Sequence, residues 1–521
     1  MQPQSKQQAK EEEQKRMENH ILEKFELLEF KGKGAYGVVW KALDRKTNQV
    51  VALKKIFDAF HNDTDSQRTF REVIFLEQLR NHENIIRLTS VIKAENNKDL
   101  YMVFDYMETD VHNVIRGKIL QPLHKKYIVY QVLKGLKYLH TGEVIHRDLK
   151  PSNLLINSEC KVKIADFGLA RSVAKPEDDT NPILTESVAT RWYRAPEILF
   201  GSSTYSKAVD IWSLGCIVGE MLLGKALFPG SSNLNQIEKI MELIGRPTPE
   251  DLEALCAPMA EHMMQNLTIK QMIGFVQTFP TATEDAIDFL KKTLVYNPNK
   301  RMTVEQALEH SYIKEFKNKE VESKRDTPLE TLMDDNHKYS TKDYQNFLYS
   351  RIDQKRRIEQ KQKLIKSQNN SVNTSLDKSS SPTKKESSTA KKDPEKPKVE
   401  NDSQQPHRGL HWKSQSYSQG QFMRRTASQE DNQFQVSMYQ SPTQKKQQQM
   451  FPMVDSNSPM NKGNRRSSLD KKLLSTLTAT LQSTLSQQQF SRKGMQASVS
   501  KSNVFNKSMN TQYNALLQKK K

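Results

Sequence analysis

The residue types best suited to chemistry are concentrated in two neighbouring stretches. The first is His146-Arg147-Asp148-Leu149-Lys150-Pro151-Ser152-Asn153, and the second is Asp166-Phe167-Gly168. Asp148 would accept a proton from a hydroxyl, whereas Asn153 and Asp166 offer the oxygen ligands that Mg²⁺ prefers. Lys150 would offset negative charge on a group in transfer. Together these residues predict metal-assisted transfer of a phosphoryl group to a hydroxyl.

A glycine-rich loop upstream could hold the phosphates of a nucleotide. It reads Gly32-Lys33-Gly34-Ala35-Tyr36-Gly37-Val38-Val39, between two candidate strands. Glycines allow a tight turn and a close approach of the backbone to phosphate, and Val39 could pack over a base. By itself the loop is equally well explained as an ordinary turn.

Lys54 follows this loop in Val51-Ala52-Leu53-Lys54, at a spacing that suits contact with the α- and β-phosphates. Its expected carboxylate partner is Glu72, on the next predicted helix, because an ion pair would hold the lysine towards the phosphates. The alternative is a solvated lysine at a strand edge. The spacing from the loop favours the phosphate-binding role.

The elements that must position these residues fall into two regions. From Phe25 to about Val103, short β-branched and aromatic runs predict a small sheet with one helix near Arg68–Leu79. From about Leu123 to Lys317, helical periodicity dominates, for instance in Tyr127–His140 and Asp210–Leu223. The sequence therefore predicts a β-rich lobe followed by a larger helical lobe.

With Ala195-Pro196-Glu197, these motifs resemble the complete signature set of eukaryotic protein kinases over residues 25–316. The resemblance implies an α+β, bilobal kinase fold with ATP and Mg²⁺ as cofactors. It also implies that Arg301 pairs with Glu197. His146 and Phe167 are expected to be core residues that shape the catalytic loop rather than reacting groups. The nucleotide-binding positions the resemblance implies are Gly32, Lys33, Gly34, Ala35, Tyr36, Gly37, Val39, Ala52, Lys54, Phe104, Asp105, Met107 and Leu155.

Composition divides the rest of the chain. Of the 80 Lys and Arg residues and 61 Asp and Glu residues, 46 of each lie in residues 1–330, so the net charge of +19 belongs to the C-terminal part. We expect a polar N-terminal extension (1–24), the kinase domain (25–316), a partly helical extension (317–369) and a mostly disordered basic tail (370–521). In this tail, a leucine at every fourth position from Leu469 to Leu485 predicts one amphipathic helix.

The stretch Thr185-Glu186-Ser187-Val188-Ala189-Thr190-Arg191-Trp192-Tyr193-Arg194 resembles the activation lip of mitogen-activated protein kinases. In that family a tyrosine stands where this chain has Ser187. The resemblance implies that phosphorylated Thr185 is the activating site, held by Arg71, Arg147 and Arg171. It also implies that Arg191 and Arg194 select substrates in which proline follows the serine or threonine.

Other segments resemble the extracellular signal-regulated kinase 7/8 subfamily, notably Lys54–Phe60 and Thr64–Glu72. The resemblance implies self-activation, ciliary or cytoskeletal partners of the tail, and a location in the cytoplasm, the cilium and its basal body, or the nucleus. Residues 316–326 alternate Lys and Glu, so the acidic docking groove of conventional members is not evident.

Three alternatives remain open at this point. A cyclin-dependent-like kinase shares Asp166-Phe167-Gly168-Leu169-Ala170-Arg171, although no cyclin-binding helix sequence is recognisable around Arg68–Leu76. A pseudokinase scaffold would need a degenerate catalytic position, and none is found. The basic tail could bind nucleic acid, but its charge clusters are short and lack interleaved aromatic residues.

Two classes of protein are disfavoured by the sequence. The three cysteines show no CxxC or metal-ligand spacing, so neither a disulfide framework nor a zinc site is expected. The start of the chain is rich in Gln, Glu and Lys, and no apolar run approaches the length of a membrane span. We therefore expect an intracellular protein without a membrane-spanning segment.

Overall fold

The computed structural model describes residues 11–34, 36–174, 190–202, 206–265, 267, 271–317, 322–334 and 337–376. Residues up to Lys366 belong to one compact unit; of a second, which begins at Ser367, only the helical backbone of 367–376 is described. The first unit contains a small lobe built on a β-sheet and a larger helical lobe, as the sequence predicts.

The small lobe is built on five antiparallel strands in the order β1-β2-β3-β5-β4. Their bounds are β1 Phe25–Lys33, β2 Gly37–Asp44, β3 Gln49–Ile56, β4 Leu88–Lys93 and β5 Leu100–Asp105. Alternate residues of β2, namely Val38, Trp40 and Ala42, are fully buried, which is the period expected when one face of a strand meets a core.

One long helix, α3 (Asp63–Leu79), packs beside this sheet. It begins earlier than the predicted start near Arg68, because the side chain of Asn62 caps it by accepting a hydrogen bond from the backbone of Asp65 at 2.9 Å. Asp63 and Asp65 in its first turn complement the helix dipole. Cap and charge together extend the helix by more than one turn.

The larger lobe is organised around two helices, which confirm the two predicted periodic stretches: α5 (Pro122–Thr141) and α7 (Ala208–Leu223). At Gly215, α7 approaches the helix that ends at Thr293 so closely that a Cβ atom would lie 2.6 Å from the hydroxyl of Thr293. The other helices between residues 111 and 309 are α4 Val111–Arg116, α6 Pro196–Leu199, α8 Asn233–Ile244, α9 Pro249–Ala254, α10 Ala260–Gln265, α11 Gly274–Thr278, α12 Glu284–Thr293 and α13 Val304–Glu309.

Short elements line the junction of the lobes and carry the signature motifs. The strands β6 (Thr109–Asp110), β8 (Leu154–Ile156) and β9 (Val162–Ile164) form one small sheet, and β7 (Val144–Ile145) pairs with β10 (Arg171–Ser172). Four 3₁₀ turns are described, at Pro151–Asn153, Arg191–Tyr193, Pro298–Lys300 and Lys314–Phe316.

Both extensions pack against the small lobe. At the N-terminus, α1 (residues 11–15) and α2 (Asn19–Leu22) lie on the sheet, with Met17 and Ile21 buried in its core. At the C-terminus, the first part of α14 (Thr341–Leu376), from Thr341 to Lys355, lies along α3, and its Tyr344 ring is 5.3 Å from that of Phe70. Residues 11–24, which belong to the expected polar N-terminal extension, therefore contribute Met17 and Ile21 to the core.

The helix α14 ends at Leu376, a few residues beyond residue 370, where the mostly disordered basic tail is expected to begin. The rest of the tail, including the predicted leucine-striped helix, lies outside the described residues. Among the described residues, no helix combines the length and apolar character needed to cross a membrane.

Candidate active site

The glycine-rich loop connects β1 to β2 and requires glycine at its end. A Cβ atom on Gly37 would lie 1.9 Å from the backbone oxygen of Lys55, so no other residue fits there. The side chain of Lys33 contacts Glu13 at 3.0 Å. Ala35, predicted to bind nucleotide, lies outside the described residues.

The hydroxyl of Tyr36, another predicted nucleotide-binding residue, accepts a hydrogen bond from the Arg68 guanidinium of α3 at 2.7 Å. Neither Arg68 nor Glu13 was identified from the sequence, since each contact joins residues at least 20 positions apart. The polar contacts described for Lys33 and Tyr36 thus join the loop to the N-terminal segment and to α3.

Lys54 and Glu72 form an ion pair between β3 and α3. The Lys54 ammonium lies 2.7 and 2.8 Å from the two carboxylate oxygens of Glu72. Burial by itself would lower the pKa of Lys54, but the carboxylates of Glu72 and Asp166 outweigh it and raise that pKa. The lysine is therefore charged at neutral pH, as a phosphate ligand must be.

Half-buried apolar side chains provide a surface for a flat base. Val39 on β2, Ala52 on β3, Met107 after β5 and Leu155 on β8 are each half-buried, whereas Phe104 is 8% exposed. Apolar residues held partly open in this way are typical of the walls of ligand pockets. These five predicted positions suit an adenine base.

Asp105 differs from the other predicted nucleotide-binding residues, because its carboxylate is engaged elsewhere. Two nitrogens of the Arg87 guanidinium donate hydrogen bonds to Oδ1 of Asp105, Nε at 3.0 Å and Nη2 at 2.8 Å. These hydrogen bonds raise the pKa of Arg87 and hold the Asp105 side chain against the residue that directly precedes β4. The structure thus places the Asp105 carboxylate in an ion pair with Arg87.

The catalytic loop places Asp148, Lys150 and Asn153 in direct contact. The Lys150 ammonium lies 2.6 Å from Oδ2 of Asp148, and the amide nitrogen of Asn153 donates to the same oxygen at 3.1 Å. Burial raises the pKa of Asp148, and Lys150 opposes that rise. These contacts orient the carboxylate expected to accept the substrate proton.

Asp210, on α7, fixes the backbone of this loop through hydrogen bonds. Its carboxylate accepts hydrogen bonds from the backbone N–H groups of His146 and Arg147, both at 2.9 Å, and contacts His140 at 3.0 Å. Burial would raise its pKa, but these donors lower it overall, so the buried carboxylate stays ionised. The resemblance to protein kinases implies that the stretch Asp210–Gly215 lies on the helix that anchors the catalytic loop, and these hydrogen bonds supply that anchor across more than 60 positions of sequence.

Asp166 is held next to this loop by the fully buried Phe167. The Phe167 ring stands edge-on to His146 at 5.0 Å, and His146 contacts the backbone oxygen of Ala165 at 3.0 Å. Asp166 itself adopts a left-handed backbone conformation with φ of 67°. His146 and Phe167 therefore shape the loop, as expected from their residue types.

The chemistry of these donors fits a divalent metal ion with a bound nucleotide. The amide nitrogen of Asn153 is engaged with Asp148, so its oxygen is the atom available to a cation. This oxygen and the Asp166 carboxylate are hard ligands, which would suit a divalent metal ion. Together with Lys54 they would complement the charge of a triphosphate.

The arginines predicted to hold phosphothreonine come from three elements. Arg71 is on α3, Arg147 is in the catalytic loop, and Arg171 is on β10. Arg71 and Arg171 are each 3% exposed, and Arg147 has a positive φ of 66°. Thr185 and Ser187 lie outside the described residues, so the predicted phosphosite is not placed.

The described end of the lip, from Thr190 onward, and the residues that follow it are anchored to the larger lobe. Arg191, predicted for substrate selection, donates to the backbone oxygen of Ser231 at 3.0 Å, and Arg194 is half-buried. The Arg301 guanidinium meets the Glu197 carboxylate through two hydrogen bonds of 2.6 and 2.7 Å, the buried ion pair that the resemblance implied.

Comparison with known proteins agrees with this geometry. The protein kinase domain family matches residues 25–313. Extracellular signal-regulated kinase 2 of Dictyostelium discoideum is 54% identical over 347 residues, covering 66% of this chain and 94% of that protein. Mitogen-activated protein kinase 15 is 48% identical in Xenopus laevis, covering 71% of this chain and 64% of that protein, and 47% identical in Caenorhabditis elegans, covering 65% and 73%.

This chain belongs to the mitogen-activated protein kinase family. The kinase resembles the extracellular signal-regulated kinase 7/8 members of that family, which confirms the resemblance seen in the sequence. It is a serine/threonine protein kinase that uses ATP and a divalent metal ion and acts on protein substrates. These relatives favour a mitogen-activated protein kinase over the cyclin-dependent-like kinase that the sequence left open.

Proposed function

We propose that this kinase phosphorylates serine and threonine residues followed by proline, uses Mg²⁺–ATP, and phosphorylates its own chain. The observation that carries the proposal is the assembled pair of Lys54 with Glu72 beside the contacting group of Asp148, Lys150 and Asn153. These two clusters lie on opposite lobes, as a site that holds ATP against a protein hydroxyl requires.

Each residue has a separate part in the proposed reaction. Asp148 accepts the proton of the substrate hydroxyl, and Lys150 balances charge on the transferring phosphoryl group. Lys54 binds the α- and β-phosphates while Glu72 holds it in place. Asn153 and Asp166 would hold Mg²⁺, which neutralises charge on the phosphates when bound.

Selection for proline is proposed from the resemblance of the lip. In related kinases the arginine at the position of Arg194 engages the lip backbone, so the substrate residue after the phosphosite gains nothing from an N–H group. Proline, which lacks this group, is then accepted without loss of a hydrogen bond.

A degenerate peptide library with ATP and Mg²⁺ tests activity and selection together. We expect enrichment of proline directly after the phosphorylated residue, and a fall in turnover of about a hundredfold or more in Lys54→Met and Asp166→Ala. The Lys126→Met variant, whose ammonium contacts Asp285 in the larger lobe, is the control and should match wild type. A profile without proline enrichment would overturn the proposed specificity, and near-wild-type turnover of Asp166→Ala would overturn the assigned roles.

Activation is proposed to require phosphorylation of Thr185. Three arginines from α3, the catalytic loop and β10 would bind one phosphate and tie these elements together. Each charge-assisted hydrogen bond contributes on the order of 1.5–3 kcal/mol, enough in sum to order a loop. Ser187 is too short to reach the arginines that would hold the family's phosphotyrosine.

Comparison of Thr185→Ala, Ser187→Ala and wild type tests this activation. We expect strong loss of activity in the first and little change in the second, with intact-mass analysis reporting the phosphates on each protein. Equal losses would instead identify a dual threonine and serine switch.

Self-phosphorylation should also reach the C-terminal part of the chain. Thr327-Pro328 is exposed, and Ser381-Pro382, Ser441-Pro442 and Ser458-Pro459 match the same preference outside the described residues. Phosphosite mapping after incubation with ATP should find these sites occupied in wild type and empty in Asp166→Ala. Their vacancy in wild type even after long incubation would contradict self-modification.

For its location, we propose the cytoplasm, with recruitment by the basic tail to ciliary or cytoskeletal partners. The support is the resemblance to the subfamily and the positive charge that residues 331–521 carry. Imaging of the full chain and of a form ending at residue 376 tests this, because only the full chain should concentrate at such structures. Equal distributions of the two forms would count against the tail.

A further inference from the structure

The glycine-rich loop is joined to a segment of the chain that precedes the kinase domain. Lys33 stands between Gly32 and Gly34, and its ammonium lies 3.0 Å from Oε1 of Glu13. Lys33 itself is half exposed, with 53% of its side chain accessible. A contact at this position acts on the part of the loop where the flanking glycines leave the backbone most freedom.

Glu13 is buried far more deeply than its partner. Only 3% of its side chain is accessible, and its Oε1 atom also contacts the Arg16 guanidinium at 3.1 Å. Among the described residues, its other oxygen, Oε2, is buried without a hydrogen-bond partner. A buried carboxylate depends strongly on its cationic partners, because solvation by water is largely lost.

The segment that carries Glu13 is fixed to the sheet. We call residues 11–22 the N-terminal strap. Met17 and Ile21 are 6% and 0% exposed in the core that also contains Trp40 and Leu53. The Lys55 ammonium, next to Lys54 on β3, donates to the backbone oxygen of Arg16 at 2.9 Å. These buried side chains and this hydrogen bond therefore hold the N-terminal strap in place on the sheet.

We propose that Glu13 is a positioning residue for nucleotide binding, which acts through Lys33 to hold the glycine-rich loop over the phosphates. A loop of this composition loses conformational freedom when it closes on ATP. Tethering it beforehand to an anchored strap reduces that loss, and preorganisation of this kind raises affinity for the ligand. The proposal rests on nucleotide binding at this loop, which belongs to the proposed function.

The test compares the affinity of full-length variants for ADP with Mg²⁺, together with KM for ATP and kcat. We expect Glu13→Gln to raise the dissociation constant of ADP and KM for ATP about threefold to tenfold, equivalent to ~0.7–1.4 kcal/mol. KM for the protein substrate should stay unchanged. Glu12→Gln, an equal loss of charge on the exposed neighbouring residue, is the matched control and should behave as wild type.

Three further variants separate positioning from a merely structural effect. Lys33→Gln removes the same ion pair from its exposed side, so it tests the contact even if Glu13→Gln folds poorly. In the Lys33→Gln background the ion pair is already absent. Adding Glu13→Gln should therefore change KM for ATP by less than about 1.5-fold. The exchange Glu13→Lys with Lys33→Glu should recover part of the lost affinity.

The inference is overturned if Glu13→Gln binds ADP as tightly as Glu12→Gln, or if its effect persists in full when Lys33 is already glutamine. Either result with an active wild-type enzyme leaves the proposed function intact. Absence of ATP-dependent transfer in the wild type would instead overturn the proposed function itself.

Discussion

At the scale of single residues, the base expected to accept the substrate proton is set by two opposing influences. Asp148 is buried, with 11% of its side chain accessible, and burial raises its pKa because water no longer stabilises the charge. Lys150, 2.6 Å away, lowers that pKa. The balance leaves the pKa above its ordinary value, closer to the working pH of a general base.

The pH dependence of activity should report this balance. A base works when deprotonated, so kcat/KM falls as pH drops through the pKa of Asp148. Removal of the ammonium in Lys150→Met should raise that pKa and move the acid limb to higher pH, besides lowering the maximal rate about a hundredfold. Profiles of kcat/KM against pH for wild type, Lys150→Met and Lys126→Met provide the measurement, and an unmoved or lowered limb in Lys150→Met would contradict the assignment.

At the scale of elements, α3 connects the active site to the C-terminal extension. It carries Arg71 and Glu72 towards the catalytic residues, while Glu77 near its end contacts Arg351 at 2.5 Å and Lys355. At its start, Asp63 accepts two hydrogen bonds from Thr341 of α14, at 2.8 and 3.0 Å. The position of Glu72 therefore depends on a helix outside the expected kinase domain.

Loosening this attachment should weaken both stability and catalysis. Arg351→Gln breaks a pair whose glutamate is 11% exposed and should cost about 1 kcal/mol, since the arginine is partly solvated. We also expect kcat to fall about twofold to fivefold. The reason is that losing this contact not only lowers stability but also displaces α3 from the position that catalysis requires. Arg357→Gln, the same charge change at an exposed position of α14, is the control for thermal unfolding and kinetics. Equal behaviour of the two variants would show that the pair does not position α3.

At the scale of the whole molecule, two buried histidines make folding sensitive to acid. Burial lowers the pKa of His82 and of His124 from 6.5 to about 4, and Lys134 adds to the effect at His82. In the unfolded chain both would titrate near the ordinary value. Their contribution to stability is complete above pH 6.5 and is lost as pH falls towards 4, because the unfolded chain binds protons that the folded one does not.

For each histidine, the free energy of unfolding should therefore fall by about 2 kcal/mol when the pH is lowered from 7 to 5. The variant His82→Asn keeps an acceptor for the backbone N–H of Asn84, which His82 binds at 3.1 Å, and should lose that part of the pH dependence. His61→Asn, at a position where 68% of the side chain is accessible, should keep all of it. Denaturant unfolding at both pH values decides the matter, and equal pH dependence in His82→Asn and wild type would refute the assignment.

The sequence by itself determined the chemistry of this kinase. Phosphoryl transfer needs particular residue types at short spacings, so Asp148, Lys150, Asn153 and Asp166 can be recognised without a fold. The two lobes could also be predicted, because the periodicity of apolar residues changes from strand-like to helical along the chain. The catalytic roles remain predictions until variants are measured.

The tertiary structure decided which distant groups hold those residues in place. A carboxylate such as Glu13 has no local signal, since its partner is chosen by packing and burial rather than by spacing. Met17 lies in the Gln-, Glu- and Lys-rich start of the chain and Ile21 directly follows that stretch, yet the sheet buries both. Contacts between segments far apart in sequence depend on how the elements pack, and this information exists only in the folded chain.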